Sequence, residues 1–221
     1  MAAYRVGVEI SGNRVSMAMV DGQGTVLCRR VFSGHAMGAE QIVETLCDHL
    51  EDLLLKRGLQ PTDVERIGIG VCGCADETRG VVRSAPALLH VRDVPLAQLV
   101  EGRIGVAPSI FEDGWAAAYA EHRFGCARDR ENLLCVLLNR ELGLGAMVAG
   151  KVLRTVPCRL AMAEEFNRRD TEKPCGSQQC LPPELGGAAL LAAARERFGK
   201  RLPGERPSVR DVFALAQQGD A

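Results

Sequence analysis

Three short segments alternate apolar and polar residues, and a long segment with apolar residues every third or fourth position follows at once. That succession leaves the chain few folds. Tyr4, Val6, Val8 and Ile10 are apolar at period two, as a half-buried strand requires. Ser11-Gly12-Asn13 is a turn signal, and a second strand is predicted from Arg14 to Val20. Asp21-Gly22-Gln23-Gly24 makes another tight turn, with a third strand through Val26 to Phe32. This is an antiparallel meander. A helix is then predicted over about Gly38 to Arg57, because Ile42, Val43, Leu46, Cys47, Leu50, Leu53 and Leu54 share one face. Gly58 is placed to end it.

Beyond the helix the pattern becomes mixed. "VERIGIGVCG" reads as an apolar strand running into a glycine-containing loop, and Pro108 to Phe111 as a strand leading to an alanine-rich helix that opens near Asp113. Antiparallel strands followed by helix, strand, helix, strand and helix describe an α/β layout with a mixed sheet. From Gly125 to Glu131 the composition turns charged and small. We place a domain boundary there, giving a first domain over residues 1–125 and a second over 126–221. Leu133 to Leu138 and Leu144 to Val148 read as paired strands, and helices resume near Gly187 to Phe198 and Ser208 to Gln217.

Composition removes some functions. The 221 residues can bury a sizeable core, and 47% hydrophobic with 25% charged residues is ordinary for a globular protein. A net charge of -1 gives no bulk electrostatic hold on nucleic acid or an anionic membrane. No basic start precedes an apolar run, and no apolar stretch is long enough to span a bilayer. The expected setting is the cytoplasm. Nine cysteines form no regular secreted framework. In a reducing compartment most are expected to act as small buried hydrophobes, among them Cys28, Cys47 and Cys135.

The most informative stretch runs from Ile67 to Arg154. "IGIGVCGCADETRGVVRSAP" is followed by "VPLAQLVEGRIGVAPSIFEDGWAAAYAEHRFG" and then "NLLCVLLNRELGLGAMVAGKVLR". That order resembles the ROK family of repressors and sugar kinases, from Val6 to about Asp220. The resemblance implies an actin-like ATPase (ribonuclease H-like) fold, with two α/β domains on mixed sheets. It also implies that the second domain here is incomplete and that the helix-turn-helix of the family's repressors is missing before Tyr4. A sheet left open in this way needs a cover, so the expectation is either that this sequence is a fragment or that the protein pairs with another chain, self-association being the pairing expected.

The family's site pattern matches this sequence unevenly. Its early D-x-G-G-T turn, which holds ATP phosphates, falls on Glu9, Ile10, Ser11, Gly12 and Asn13. Ser11 puts a Cβ where bare backbone is expected, and the alternative is a plain hairpin turn. The second phosphate turn, G-T-G in the family, falls on Asn139, Arg140 and Glu141, with Gly143 and Gly145 just beyond. Glu141 brings negative charge toward a phosphate position, at a cost on the order of 1–4 kcal/mol in a partly wet site. Arg140 offsets part of it. On the nucleotide side the resemblance therefore points to Glu9, Gly12, Asn13, Arg140 and Gly143.

The family's catalytic carboxylate, in a pattern like E-N-D-A-N, falls on Asp113 in "FEDGWAAAYAE". There it would act as general base on the attacking sugar hydroxyl. A helix N-cap is the equally open alternative. The preceding sugar-binding asparagine is Glu112, and the following one is Trp115. Gly73 lies on the sugar-side loop between Cys72 and Cys74, a pair read as loop packing. Glu164 or Glu165 stands nearest the slot of the family's E-x-G-H histidine. The zinc pattern C-x-C-G-x-x-G-C keeps Cys175, Gly176 and Cys180 but has Lys173 for the first cysteine. Two ligands do not make a structural zinc site, so zinc is expected to be lost.

These losses imply a catalytically degenerate, sugar-sensing or regulator-like protein that does not bind nucleic acid by this chain alone. The alternative they leave is an ATP-dependent hexose kinase using ATP-Mg and Asp113.

Overall fold

The computed structural model describes residues 4–11, 14–34, 37–85, 88, 91–138, 142–153, 187–203 and 207–218. The predicted meander forms strands β1 (Tyr4–Ser11), β2 (Arg14–Val20) and β3 (Val26–Ser33), each antiparallel to the next. Helix α1 (Ala39–Leu55) follows, then β4 (Val64–Val71), which lies parallel to β1. Further along come α2 (Leu96–Ile104) and β8 (Pro108–Glu112), with β8 parallel to β4. The sheet order is β3-β2-β1-β4-β8, a mixed α/β sheet.

One face of this sheet supplies the core. Val6, Val8 and Ile10 of β1, Val15, Met17 and Met19 of β2, Ile67 and Ile69 of β4 and Ile110 of β8 are buried with Leu46 and Leu50 of α1 and Val100 of α2. The period-two and period-3.6 stripes meet there, as their spacing requires. The end of α1 has a Schellman arrangement: the Gly58 amide donates to the Leu55 carbonyl and the Leu59 amide to the Leu54 carbonyl, each at 3.0 Å. Gly58 has φ of +65° with open space around it. Gly58→Ala should therefore cost about 1 kcal/mol, purely through its backbone conformation. A thermal melt checks this, since a drop much larger than about 4 °C would mean a packing role.

Between β4 and α2 the structure has more order than the sequence suggests. β5 (Cys74–Asp76), β6 (Val81–Ser84) and β7 (Arg92–Val94) form a small antiparallel sheet where a loop was expected. Arg83 ties it together, bonding Asp76 at 2.9 Å and Asp93 at 2.8 Å.

Helix α3 (Asp113–Arg123) lies against the other face of β4, where Gly70 leaves room: a Cβ there would be 3.9 Å from the Ala116 methyl. The same helix packs on β9 (Leu133–Leu138) and β10 (Leu142–Val148), which pair antiparallel and are extended by β11 (Lys151–Val152). The β9 residues Leu134 and Val136 are 67% and 48% exposed. Helices α4 (Gly187–Phe198) and α5 (Val209–Gln217) form a separate small cluster around Ala194, Leu202 and Val212. Among the described residues no helix is long and apolar enough to cross a membrane.

Candidate functional site

Parallel strands β4 and β8 end side by side, with Val71 opposite Glu112. The carboxyl end of such strands is where open α/β sheets hold their ligands. Here β8 gives way directly to α3, so Glu112 closes the strand and Asp113 opens the helix. Among the described residues these two are the buried charged groups, at 6% and 7% exposure. Each has a side-chain oxygen, Oε1 of Glu112 and Oδ2 of Asp113, with no hydrogen-bond partner. Buried carboxylate oxygens are nearly always satisfied, so an orphaned pair marks a place built for something else.

The electrostatics agree. Burial pushes Glu112 from an ordinary 4.5 up to about 7; the Ala75 amide opposes the rise and the Asp113 charge adds to it. Burial likewise raises Asp113, opposed by the neighbouring Cys72 thiol and by the Gly114 amide, with the Glu9 charge adding to the rise. The positive end of α3 should favour ionisation of Asp113. Desolvation outweighs it.

Asp113 is the first helical residue rather than the cap. The cap position is Glu112, which makes no side-chain capping bond. Asp113 Oδ1 accepts the Gly114 amide at 2.8 Å, and Oδ2 is left without a partner. Oδ1 thus meets a free amide of the first turn as a capping acceptor does, and Oδ2 is the oxygen not spent on it.

Glycines bring the second sheet onto this junction. A Cβ on Gly145 would lie far inside contact distance of the Gly114 carbonyl, and 3.0 Å from the Ala118 methyl. A Cβ on Gly114 would strike the Leu144 carbonyl and come within 3.0 Å of the Gly145 nitrogen. Gly143 passes so close to Asp113 that its Cβ would sit 3.3 Å from Oδ1. The close packing expected of Gly143 and Gly145 is therefore against the start of α3, Gly143 beside Leu137 and the Asp113 carboxylate and Gly145 on the Gly114 backbone. Gly114 was missed in the sequence, although a glycine at the start of an alanine-rich helix costs about 1 kcal/mol and so points to a packing reason.

The other candidates fall around this centre. Gly73 has φ of +156°, and a Cβ there would be 2.9 Å from the Ala85 Cα, so the link between β4 and β5 is pressed onto the end of β6. Cys72 is buried, its amide donating to the Ile10 carbonyl at 3.0 Å and its thiol lying beside Asp113. It does more than fill loop space. Glu9 lies beside Gly70 across the β1–β4 register and 3.9 Å from Arg14. Ser11 Oγ donates to the Arg14 carbonyl at 3.1 Å, closing the first hairpin. Gly12, Asn13, Arg140, Glu165, Cys175 and Cys180 lie outside the described residues. Among the described residues no three His, Cys, Asp or Glu side chains are grouped to hold a metal ion.

Comparison with known proteins places this geometry. A family model described as the ROK family matches residues 5–221. The chain is 28% identical over 197 residues to a glucokinase of Streptomyces coelicolor, covering 87% of this chain and 59% of that protein. It is 23% identical over 223 residues to a xylose repressor of Bacillus subtilis, covering 99% of this chain and 56% of the repressor. Among solved structures it superposes on a ROK family glucokinase from Streptomyces griseus in complex with glucose and AMPPNP. The TM-score is 0.79 with 27% identity, over 99% of this chain and 72% of that one. The chain thus spans somewhat over half the length of the curated relatives it matches.

Proposed function

This chain belongs to the ROK family, and on that premise we propose that it binds a sugar at the Glu112–Asp113 junction and responds to it in a regulator-like role. The observation that carries the reading is the pair of buried carboxylates, each with an oxygen lacking a partner. Sugar hydroxyls are donors of the right kind for such acceptors. The relatives include a glucokinase and a xylose repressor, both named for sugars. The regulator-like part rests on the phosphate-side sequence. Ser11 carries a Cβ and spends its hydroxyl on the hairpin, and Asn139-Arg140-Glu141 replaces a glycine turn.

One observation favours a second reading, hexose phosphorylation. Asp113 Oδ2 is free, buried and held at raised proton affinity, as suits a general base. In that reading Asp113 takes the proton of the attacking sugar hydroxyl. Gly143 supplies bare backbone beside it, and Glu9, Gly12, Asn13 and Arg140 are the nucleotide-side candidates that the sequence pattern assigns. ATP enters as the phosphoryl donor.

Calorimetric titration with a panel of hexoses and hexosamines tests the shared claim. Binding is expected, and Asp113→Asn should weaken it roughly tenfold, the loss of one charge-assisted hydrogen bond. A folded protein that binds no member of the panel would sink the proposal. Adding ATP-Mg separates the two roles. A regulator shows no turnover, whereas a kinase shows turnover that falls about 10²–10⁴-fold in Asp113→Asn.

A further inference from the structure

We infer that the preferred ligand of this site is a sugar carrying a primary ammonium group, with Glu112 as the residue that selects it. The inference rests on the sugar-site reading above and names the ligand class within it.

The argument starts from charge. Glu112 and Asp113 are adjacent, both more than nine-tenths buried, and each has an oxygen aimed at no donor. Glu9 adds a third negative group close enough to raise Asp113 further. Among the described residues no lysine or arginine acts on either member of the pair. Arg14 is engaged with Glu9 at 3.9 Å, and Arg83 with Asp76 and Asp93. The groups that do face the pair, the Ala75 and Gly114 amides and the Cys72 thiol, are neutral. Above about pH 7, where Glu112 ionises, the junction is anionic and desolvated, with unfilled acceptors.

A neutral hydroxyl fills an acceptor and leaves the charge uncompensated. An ammonium group fills it with up to three donors and cancels one charge. Desolvating ions usually offsets most of such a gain. Here the protein's half of that cost has already been met by folding, which is why burial pushes Glu112 up to about 7. A cationic ligand recovers part of that cost; a neutral one does not. Charge-assisted hydrogen bonds in this setting are worth about 1.5–3 kcal/mol, so a preference of roughly tenfold to a hundredfold is expected.

The residue that decides is Glu112. Asp113 lends its free oxygen to any hydroxyl, and its other oxygen is held by Gly114. Glu112 sits at the end of β8, beside the Ala75 amide of β5. Glu112→Gln keeps the shape, supplies one donor and removes the charge, so it separates charge selection from fit.

The test is isothermal titration of the intact protein with D-glucosamine, D-glucose and N-acetyl-D-glucosamine at about pH 7.5, where Glu112 is mostly ionised and much of a primary amine near a pKa of about 7.7–8.0 is still protonated. Glucosamine should bind at least about tenfold tighter than the other two, and Glu112→Gln should abolish that preference. If glucose or N-acetylglucosamine binds wild-type protein as tightly as glucosamine, the inference fails while the sugar-site reading stands. If none binds, both fail. A glucosamine preference that persists in folded Glu112→Gln protein overturns the role given to Glu112.

Discussion

Replacing Gly145 with alanine should destabilise the protein by about 3 kcal/mol, and in a chain of this size lower its melting temperature by about 6–12 °C. The added methyl would overlap the Gly114 carbonyl and press on the Ala118 methyl at 3.0 Å. Both obstacles are parts of α3, and a carbonyl cannot step aside as the end of a flexible side chain can. The helix is itself pinned from behind, since Gly70 of β4 lies against Asp113 and Ala116. Relief therefore requires the second sheet to lift off α3, which also moves Gly143 away from Asp113. Gly114→Ala meets the Leu144 carbonyl from the other side and should behave alike. Gly7→Ala is the control: nothing lies within 4 Å of that position, so its effect should stay below about 1 kcal/mol. Equal melting temperatures for Gly145→Ala and Gly7→Ala would show that the glycine contact between α3 and β10 is not formed.

The second large effect is a dependence of stability on pH that runs against the usual acid denaturation. Glu112 holds its proton more tightly folded, at about 7, than unfolded, at an ordinary 4.5. Between those values the native state binds more protons than the unfolded chain, so stability falls as pH rises. The contribution is fully present below about 4.5 and lost above about 7, a span worth about 3 kcal/mol for this group. Asp113 shifts in the same direction. Asp21, Asp52 and Asp76 are held low by hydrogen bonds and ion pairs and act the opposite way, but only at the acid end. Denaturant melts of wild type and Glu112→Gln across this window isolate the term. The difference between the two should grow with pH, with the variant up to about 3 kcal/mol more stable above pH 7. A difference that stays flat would mean Glu112 is not buried unpaired. A stabilising substitution inside a ligand site is the expected mark of a protein that gives up stability for binding.

Much of the fold is legible in the residues. The alternation of Tyr4 to Ile10 and the three-four spacing of Ile42 to Leu54 predict β1 and α1 to within about two residues, because each stripe is set by its own local geometry. The sheet of β5, β6 and β7 is not legible. Its strands are three or four residues long, too short to show a period. Arg92–Val94 also contains Asp93 at φ of +49°, a turn-like residue inside a strand. The "FED" at the end of β8 stands out as paired carboxylates, and the family resemblance puts a functional residue there. That Asp113 Oδ1 takes the Gly114 amide while Oδ2 is buried without a partner is not encoded by the spacing.

The order of elements, the mixed sheet and a pair of acids at a strand-to-helix junction follow from the amino-acid sequence alone, because periodicity and turn chemistry act over a few neighbouring residues. The isolation of those acids was decided only in three dimensions. β5 brings the Ala75 amide onto Glu112 from one side. The bare backbone of Gly143 and Gly145 comes down on Asp113 and Gly114 from the other. Desolvation is a property of everything within a few ångströms of an atom, and here those neighbours come from stretches far apart along the chain.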